Sequence, residues 1–394
     1  MRILHICYGF PPRKIASNGG ELRYWQNLSA LVALGHQVDL VVCGSTDDLD
    51  PEVVKLATSV SVVPNARVPI TRLKSWRTLL DPKTALQFYI PSAVGFRERI
   101  SEIALKVRAD MIWADWIGTM AAVPSDIPVV YSHHDFHYKI MTVRSETQKR
   151  TVRWPDRLRH RQLRRAEISL CKKADHVVCV SASETKQLRD IAQKATYVPI
   201  VGPTVSRIDR ALASSARVFL FGNSGCTAMR SAREHLRTSL WPLLEREGCH
   251  IEWIQLGRPD PREGDDWKWV QQNFVCQGFV EDLASVFRLG DASLVPYTED
   301  TGFRTKFVTA AAYGVVNIGY ESTFACAPEF THEEDCLIAK SSEELVRLLK
   351  TFSREANLRK MLGEGARTLY ERVFSFESQL PKYEQVVNCV TGNK

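Results

Sequence analysis

Short apolar runs alternate with stretches of helical spacing along most of the chain. In the first half the runs Ile3–Cys7, Val38–Val42, Ser59–Val63, Met111–Trp113, Val129–Ser132, His176–Ser181 and Thr196–Pro199 predict strands. The stretch Glu21–Leu34 has helical spacing, follows Gly19-Gly20 and ends at Gly35, which gives it a start and a stop. Residues Val201–Arg217 carry no periodicity and read as a linker. A second series follows, with strands expected at Val218–Phe221, His250–Leu256, Phe274–Val275, Ala292–Val295 and Val315–Ile318. Ser341–Val390 is largely helical and suited to return across the domain junction. Strand–helix alternation of this kind argues for α/β architecture with parallel sheets and right-handed crossovers. No internal repeat of fixed period interrupts it.

Gly278–Gly314 is the most informative stretch. It reads as a turn, a short amphipathic helix (Leu283, Val286, Phe287), a buried strand (Ala292–Val295), a loop and a second helix. The loop Thr298–Gly302 opens at the strand's C-terminal end, where open α/β sheets bind ligands. Thr301–Thr305 would supply the start of the next helix. Free N–H groups there, beside Arg304 and Lys306, suit an anion such as a diphosphate, although an ordinary strand–helix turn with solvated cations reads equally well.

Composition narrows the class. The 394 residues suggest two domains of roughly 200 residues each. With 44% hydrophobic and 25% charged residues and no apolar run of membrane-spanning length, the chain reads as a soluble protein. Its ten cysteines contain no CxxC pair, and Cys7, Cys43 and Cys179 sit in strand-like runs, so reduced buried thiols in a cytoplasmic protein are expected. The net charge of +7 is uneven: Arg144–Lys173 holds eleven Lys or Arg against three acidic residues. From Leu158 onward this segment reads as a helix with one partly apolar face. With only Trp154 for base stacking, a nucleic-acid groove is not expected. A solvated helix face competes with attraction to an anionic membrane or a lipid-linked phosphate.

Two further constellations carry chemistry. The first strand runs into a loop ending at Gly19-Gly20, where close backbone approach and a helix start favour a phosphate, or simply a capped loop. It is not a G-x-G-x-x-G fingerprint. Val129-Val-Tyr-Ser-His133-His134-Asp135 places two histidines and a carboxylate past a buried strand. Adjacent histidines on an extended chain point apart, which disfavours a metal. A strand-end group that positions a sugar or phosphate, or a plain strand cap, remains open.

Together these pieces resemble the GT-B-fold glycosyltransferases of family 4. MRILHICYGFPP…GGELRYWQNLSALVALGHQVDLVV looks like the family's opening strand, glycine loop and helix. ADHVVCVSASETKQL is similar to the strand near the end of its first domain, and VFLFGNSGC…LWPLLEREGCHIEWIQLG to the start of its donor domain. GFVEDLASVFRLGDASLVPYTEDTGFRTKFVTAAAYG parallels the region G-(F/Y)-V-x-D-L…G-x-R-x-K-(V/L)-x-E-A-x-A-x-G.

The resemblance implies two Rossmann-like domains facing across a cleft. They would be an acceptor-side domain over 1–203 and a nucleotide-sugar domain over 204–372, with a helix over 373–394 returning to the first. It implies sugar transfer from a nucleotide-diphosphate sugar to a glycan or lipid-linked acceptor, with retention, without metal or other cofactor, and without nucleic acid as partner. The protein would be cytoplasmic, held at the inner membrane face through 144–173. Gly19 and Gly20 would line the diphosphate and acceptor side, while His134 and Asp135 would lie near the reacting sugar. Arg230, Thr301, Gly302, Arg304, Lys306 and Thr309 would face the donor, its leaving-group charge met by cations and helix termini. The family's two glutamates fall at Thr301 and Thr309. A hydrogen bond to a charged group is worth roughly 1.5–3 kcal/mol, so losing the ribose-binding one would weaken donor affinity about ten- to a hundredfold. A non-enzymatic nucleotide- or glycan-binding relative and a sugar-nucleotide epimerase of the same fold are the alternative expectations.

Overall fold

A computed structural model describes the chain except residues 17, 45–48, 65–71, 91–95, 148–152, 208–211, 223–226, 258–264, 299–301 and 393–394. For 72–75, 143–147, 227–228 and 265–266 it describes the backbone alone. The chain divides into two compact units. The first holds Met1–Ile200, Thr301–Phe303 and Gln379–Lys394, and the second Val201–Asp300 and Arg304–Ser378.

The first unit is built on seven parallel strands: β1 (Arg2–Gly9), β2 (Gln37–Gly44), β3 (Ser59–Val63), β4 (Met111–Asp115), β5 (Val129–His133), β6 (His176–Cys179) and β7 (Ala195–Tyr197). Their order is β3-β2-β1-β4-β5-β6-β7, so chain progression reverses between β1 and β4. Side chains buried on both faces of the sheet explain the continuous apolar runs, with Ile3, Leu4, Ile6, Val41, Ile112, Val130 and Val177 inaccessible to solvent. The helix Gly19–Ala33 is anchored at Arg23 and Gln26, which donate to the carbonyls of Val198 (3.1 Å) and Pro199 (2.9 Å). Residues from Gln379, on the helix Phe376–Thr391, also belong to this unit, where Tyr383 stacks on Trp113 at 5.5 Å.

The second unit has six parallel strands: β8 (Ala216–Phe221), β9 (Ile251–Leu256), β10 (Val275–Gly278), β11 (Ala292–Val295), β12 (Val316–Tyr320) and β13 (Cys336–Ala339). Their order is β10-β9-β8-β11-β12-β13, with the reversal between β8 and β11. Two parallel Rossmann-like sheets thus carry the chain, as the alternation implies.

The structure corrects two local expectations. Over 283–287 only a three-residue turn of 3₁₀ helix forms, Leu283–Ser285. Gly290 at φ +76° turns the chain into β11 before a costly helix nucleus could propagate. The edge strand β13 is an addition, its four residues too short to stand out beside the polar stretch before them. Among the described residues no helix is long and apolar enough to cross a membrane.

Candidate functional site

Ligands of open α/β sheets gather at the C-terminal strand ends where chain order reverses. In the first unit this is the end of β1 and β4. Asp115 closes β4 as a fully buried carboxylate. His5 lies 2.5 Å away through Nε2, His134 3.1 Å through Nε2, and Asn27 donates its amide at 2.8 Å. Burial alone would push the Asp115 carboxyl up, but the hydrogen bonds and charges of His134 and His5 outweigh it and hold it well below the carboxylate range. An anionic acceptor at Nε2 requires hydrogen on Nε2 of both rings, so in a neutral His134 ring Nδ1 is the hydrogen-bond acceptor. The ring of Tyr24, from the helix Gly19–Ala33, lies 5.3 Å from that of His134. Tyr383 in turn donates to the Asn27 carbonyl oxygen at 2.6 Å, so Tyr383, Asn27 and Asp115, from distant parts of the chain, form one hydrogen-bonded series ending on the His134 imidazole.

The neighbouring histidine belongs to another cluster. His133 Nε2 sits 3.6 Å from Glu184, long for a hydrogen bond. Lys139 reaches the other Glu184 oxygen at 3.4 Å. Burial raises the Glu184 pKa and His133 and Lys139 lower it, with a net shift downward. The two histidines therefore do point to different partners. Among the described residues, two groups combine His, Cys and carboxylate atoms within 4.8 Å: His5–Cys7–Asp115 and His133–Cys179–Glu184. Each offers three buried donors where a structural zinc takes four. In the first the histidine already binds the carboxylate, and in the second Lys139 occupies it.

The start of the helix Gly19–Ala33 is capped: Asn18 accepts from Gly20 N at 2.9 Å and Glu21 N at 3.0 Å. Those two N–H groups are committed, so an anion there would compete with Asn18. Gly20 has a packing role as well, because a Cβ would meet the Phe10 ring at 2.7 Å. Asp135, half-buried, follows His134 and precedes the helix His137–Thr147.

In the second unit the reversal point gathers the ends of β8 and β11 with the helix Thr305–Ala312. Arg304 precedes this helix and, unlike Asn18 at the helix of the first unit, gives it no side-chain cap. Lys306 Nζ hydrogen-bonds Tyr297 and lies 2.5 Å from Met229 Sδ, and Tyr297 approaches the same sulfur at 2.9 Å. The Arg304 guanidinium covers the Tyr297 ring at 4.6 Å. Gly222, at the end of β8, has φ +129°, and a Cβ there would come within 2.5 Å of Lys306 Cε. A tyrosine, a glycine turn and two cations thus converge on the uncapped helix end. Thr309 spends its hydroxyl hydrogen on the Thr305 carbonyl at 3.1 Å, leaving its oxygen as an acceptor. Arg230 is exposed on the helix Thr227–His235. Gly302, at φ +59°, clusters with the first unit, and Thr301 lies outside the described residues. Sequence reasoning missed Asp115, Asn27, Tyr383 and Tyr297. Of these only Asp115, polar at the end of an apolar run, left a signal.

Two parallel-sheet units with polar clusters at both reversal points define the GT-B class. Residues 17–200 match the family model described as Glycosyltransferase Family 4. Solved structures of the same fold include sucrose-phosphate synthase from Thermosynechococcus elongatus, with TM-score 0.70, 16% identity and both chains covered 100%. Anabaena HepE in complex with UDP and glucose matches at TM-score 0.63 and 14% identity, covering 98% of this chain and 99% of its own. WaaG, a glycosyltransferase of lipopolysaccharide biosynthesis, matches at TM-score 0.61 and 13% identity over 100% of both chains. No curated protein sequence matches the chain significantly.

Proposed function

We propose that the protein is a glycosyltransferase of that family, moving a sugar from a nucleoside-diphosphate donor to a glycan or lipid-linked acceptor, with retention and without a metal ion. The observation that carries the reading is the uncapped helix start at Thr305, with Arg304 and Lys306 beside it, a cationic cradle suited to a leaving diphosphate. The binding of UDP and glucose by HepE makes a uridine nucleotide the first donor to test. In the first unit, His134 and Asp135 would lie near the reacting sugar, with Gly19 and Gly20 beside the acceptor. Arg230, Thr301, Gly302 and Thr309 would complete the donor contacts, Thr309 binding the ribose more weakly than a carboxylate. We place the enzyme at the cytoplasmic face of an anionic membrane, drawn there by the basic segment 144–173.

Calorimetry with a panel of UDP-, GDP- and TDP-sugars, followed by a turnover assay, tests this reading. Lys306→Ala should abolish donor binding, and His134→Ala should abolish transfer while donor binding persists. Full turnover in either variant would refute the assignment.

A further inference from the structure

Three elements of the first unit pack together: the 3₁₀ helix Arg72–Leu79, the helix Pro82–Tyr89 and the basic helix Trp154–Lys173. Arg159 donates to Thr78 at 3.0 Å and Gln162 to the Leu79 carbonyl at 3.1 Å, while the Arg159 guanidinium covers the Phe88 ring at 5.0 Å. The basic helix buries Leu163, Ala166 and Leu170 and exposes Arg157, Arg161, Arg164 and Arg165.

The same cluster leaves large apolar side chains in water: Trp76 is 56% exposed, Leu80 67%, Phe88 39% and Trp154 69%. Both exposed tryptophans among the described residues lie here. The acidic residues do not offset the cations at the surface. Asp81 caps the helix Pro82–Tyr89, Asp156 is held by Arg159 at 2.7 Å, and Glu167 is buried. Charge without apolar exposure would describe a solvated helix, and apolar exposure without charge an ordinary protein contact. Together they match the interface of an anionic bilayer, where Trp and Leu enter the headgroup–acyl boundary and Arg stays with the phosphates.

We infer that this cluster is a membrane-docking surface, with Trp76, Leu80 and Trp154 as inserting side chains and the arginines of the helix Trp154–Lys173 binding lipid phosphate. It rests on the membrane reading above and adds insertion to what charge alone would supply.

The full-length protein is tested by flotation with phosphatidylcholine vesicles, with and without phosphatidylglycerol, at low and high salt. Wild-type protein should float only with anionic vesicles. Trp76→Ala/Trp154→Ala should weaken that binding by about tenfold or more, given the apolar area two tryptophans bring. Acyl-chain-brominated lipid should quench the emission of the wild type but not of the double variant. Phe279→Ala, an exposed aromatic in the second unit, should float like wild type. If the double variant binds as tightly as wild type and quenching is absent, insertion is overturned while electrostatic attachment stands. If wild-type protein ignores anionic vesicles, the membrane reading fails as well. Concentration-dependent self-association that the double variant abolishes, without vesicle binding, would assign the surface to a second copy of the chain instead.

Discussion

Replacing Asp115 by Asn keeps the shape of the buried group and removes its charge. The carboxylate accepts from His5, His134 and Asn27. Asparagine offers a single acceptor oxygen and turns its other side into a donor, so at least one of these bonds is lost and one N–H faces another. A hydrogen bond to a charged group contributes about 1.5–3 kcal/mol, which sets the expected fall in turnover at roughly ten- to a hundredfold if His134 is the partner released. Donor affinity should hold, because the cations that would bind the diphosphate lie in the second unit. Nucleoside-diphosphate release by the selected donor measures the first quantity and calorimetry the second. The pH dependence carries a further signature. Because the folded protein depresses the Asp115 pKa, this carboxylate stabilises the fold fully above about pH 4, and the contribution is lost as pH falls through the folded value. The variant should therefore show a flatter acid limb on denaturation. Tyr383→Phe removes only the donor that orients Asn27 and should give a smaller loss of the same kind. An Asp115→Asn enzyme with wild-type turnover would refute the view that Asp115 positions His134.

Gly222→Ala puts a Cβ into the space of Lys306 Cε at a left-handed backbone position, so donor binding measured by calorimetry should fall by about tenfold or more while the first unit is unaffected. Glu167 accepts the backbone N–H groups of His137 and Tyr138, yet burial pushes its pKa up to about 8. Its favourable contribution is thus complete below about pH 4 and lost as pH rises through 8. Glu167→Gln should flatten the fall in stability across that window, read by denaturant unfolding at several pH values, and an unchanged slope would assign the effect elsewhere.

The architecture could be read from the sequence because strands buried on both faces need apolar residues at every position. Val38–Val42, within β2, and Ala292–Val295 are buried throughout and fall where the apolar runs put them. Leu283–Phe287 misled because helical spacing over five residues says nothing about whether a helix can nucleate there. Of the candidate site, the parts local in sequence were visible: Arg304 and Lys306 beside a helix start, and His134 past a strand. The partners were not. Asp115 and His134 meet because β4 and β5 pair with Asp115 opposite Ser132, and Asn27 meets Tyr383 across 356 positions of chain. No spacing rule reports a contact that only sheet order and a returning helix create.

The backbone at Asp115 shows that its position is set by more than its hydrogen bonds. Trp116 follows with φ +69°, a left-handed conformation costing roughly 1–2 kcal/mol for a residue with a Cβ. That single residue turns the chain from β4 into the short helix Trp116–Met120. Thr119 ties the turn down by donating to the Asp115 carbonyl at 2.6 Å, and the Trp116 ring packs on Tyr8 at 4.6 Å and His137 at 5.6 Å. Gly118 lets Tyr8 approach, since a Cβ there would come within 2.8 Å of that ring. Strain of this size persists only where surrounding packing over-determines the geometry. Here the same turn delivers the carboxylate to His134 with its backbone already fixed, so the hydrogen bonds need only hold an imidazole and not also order a loop.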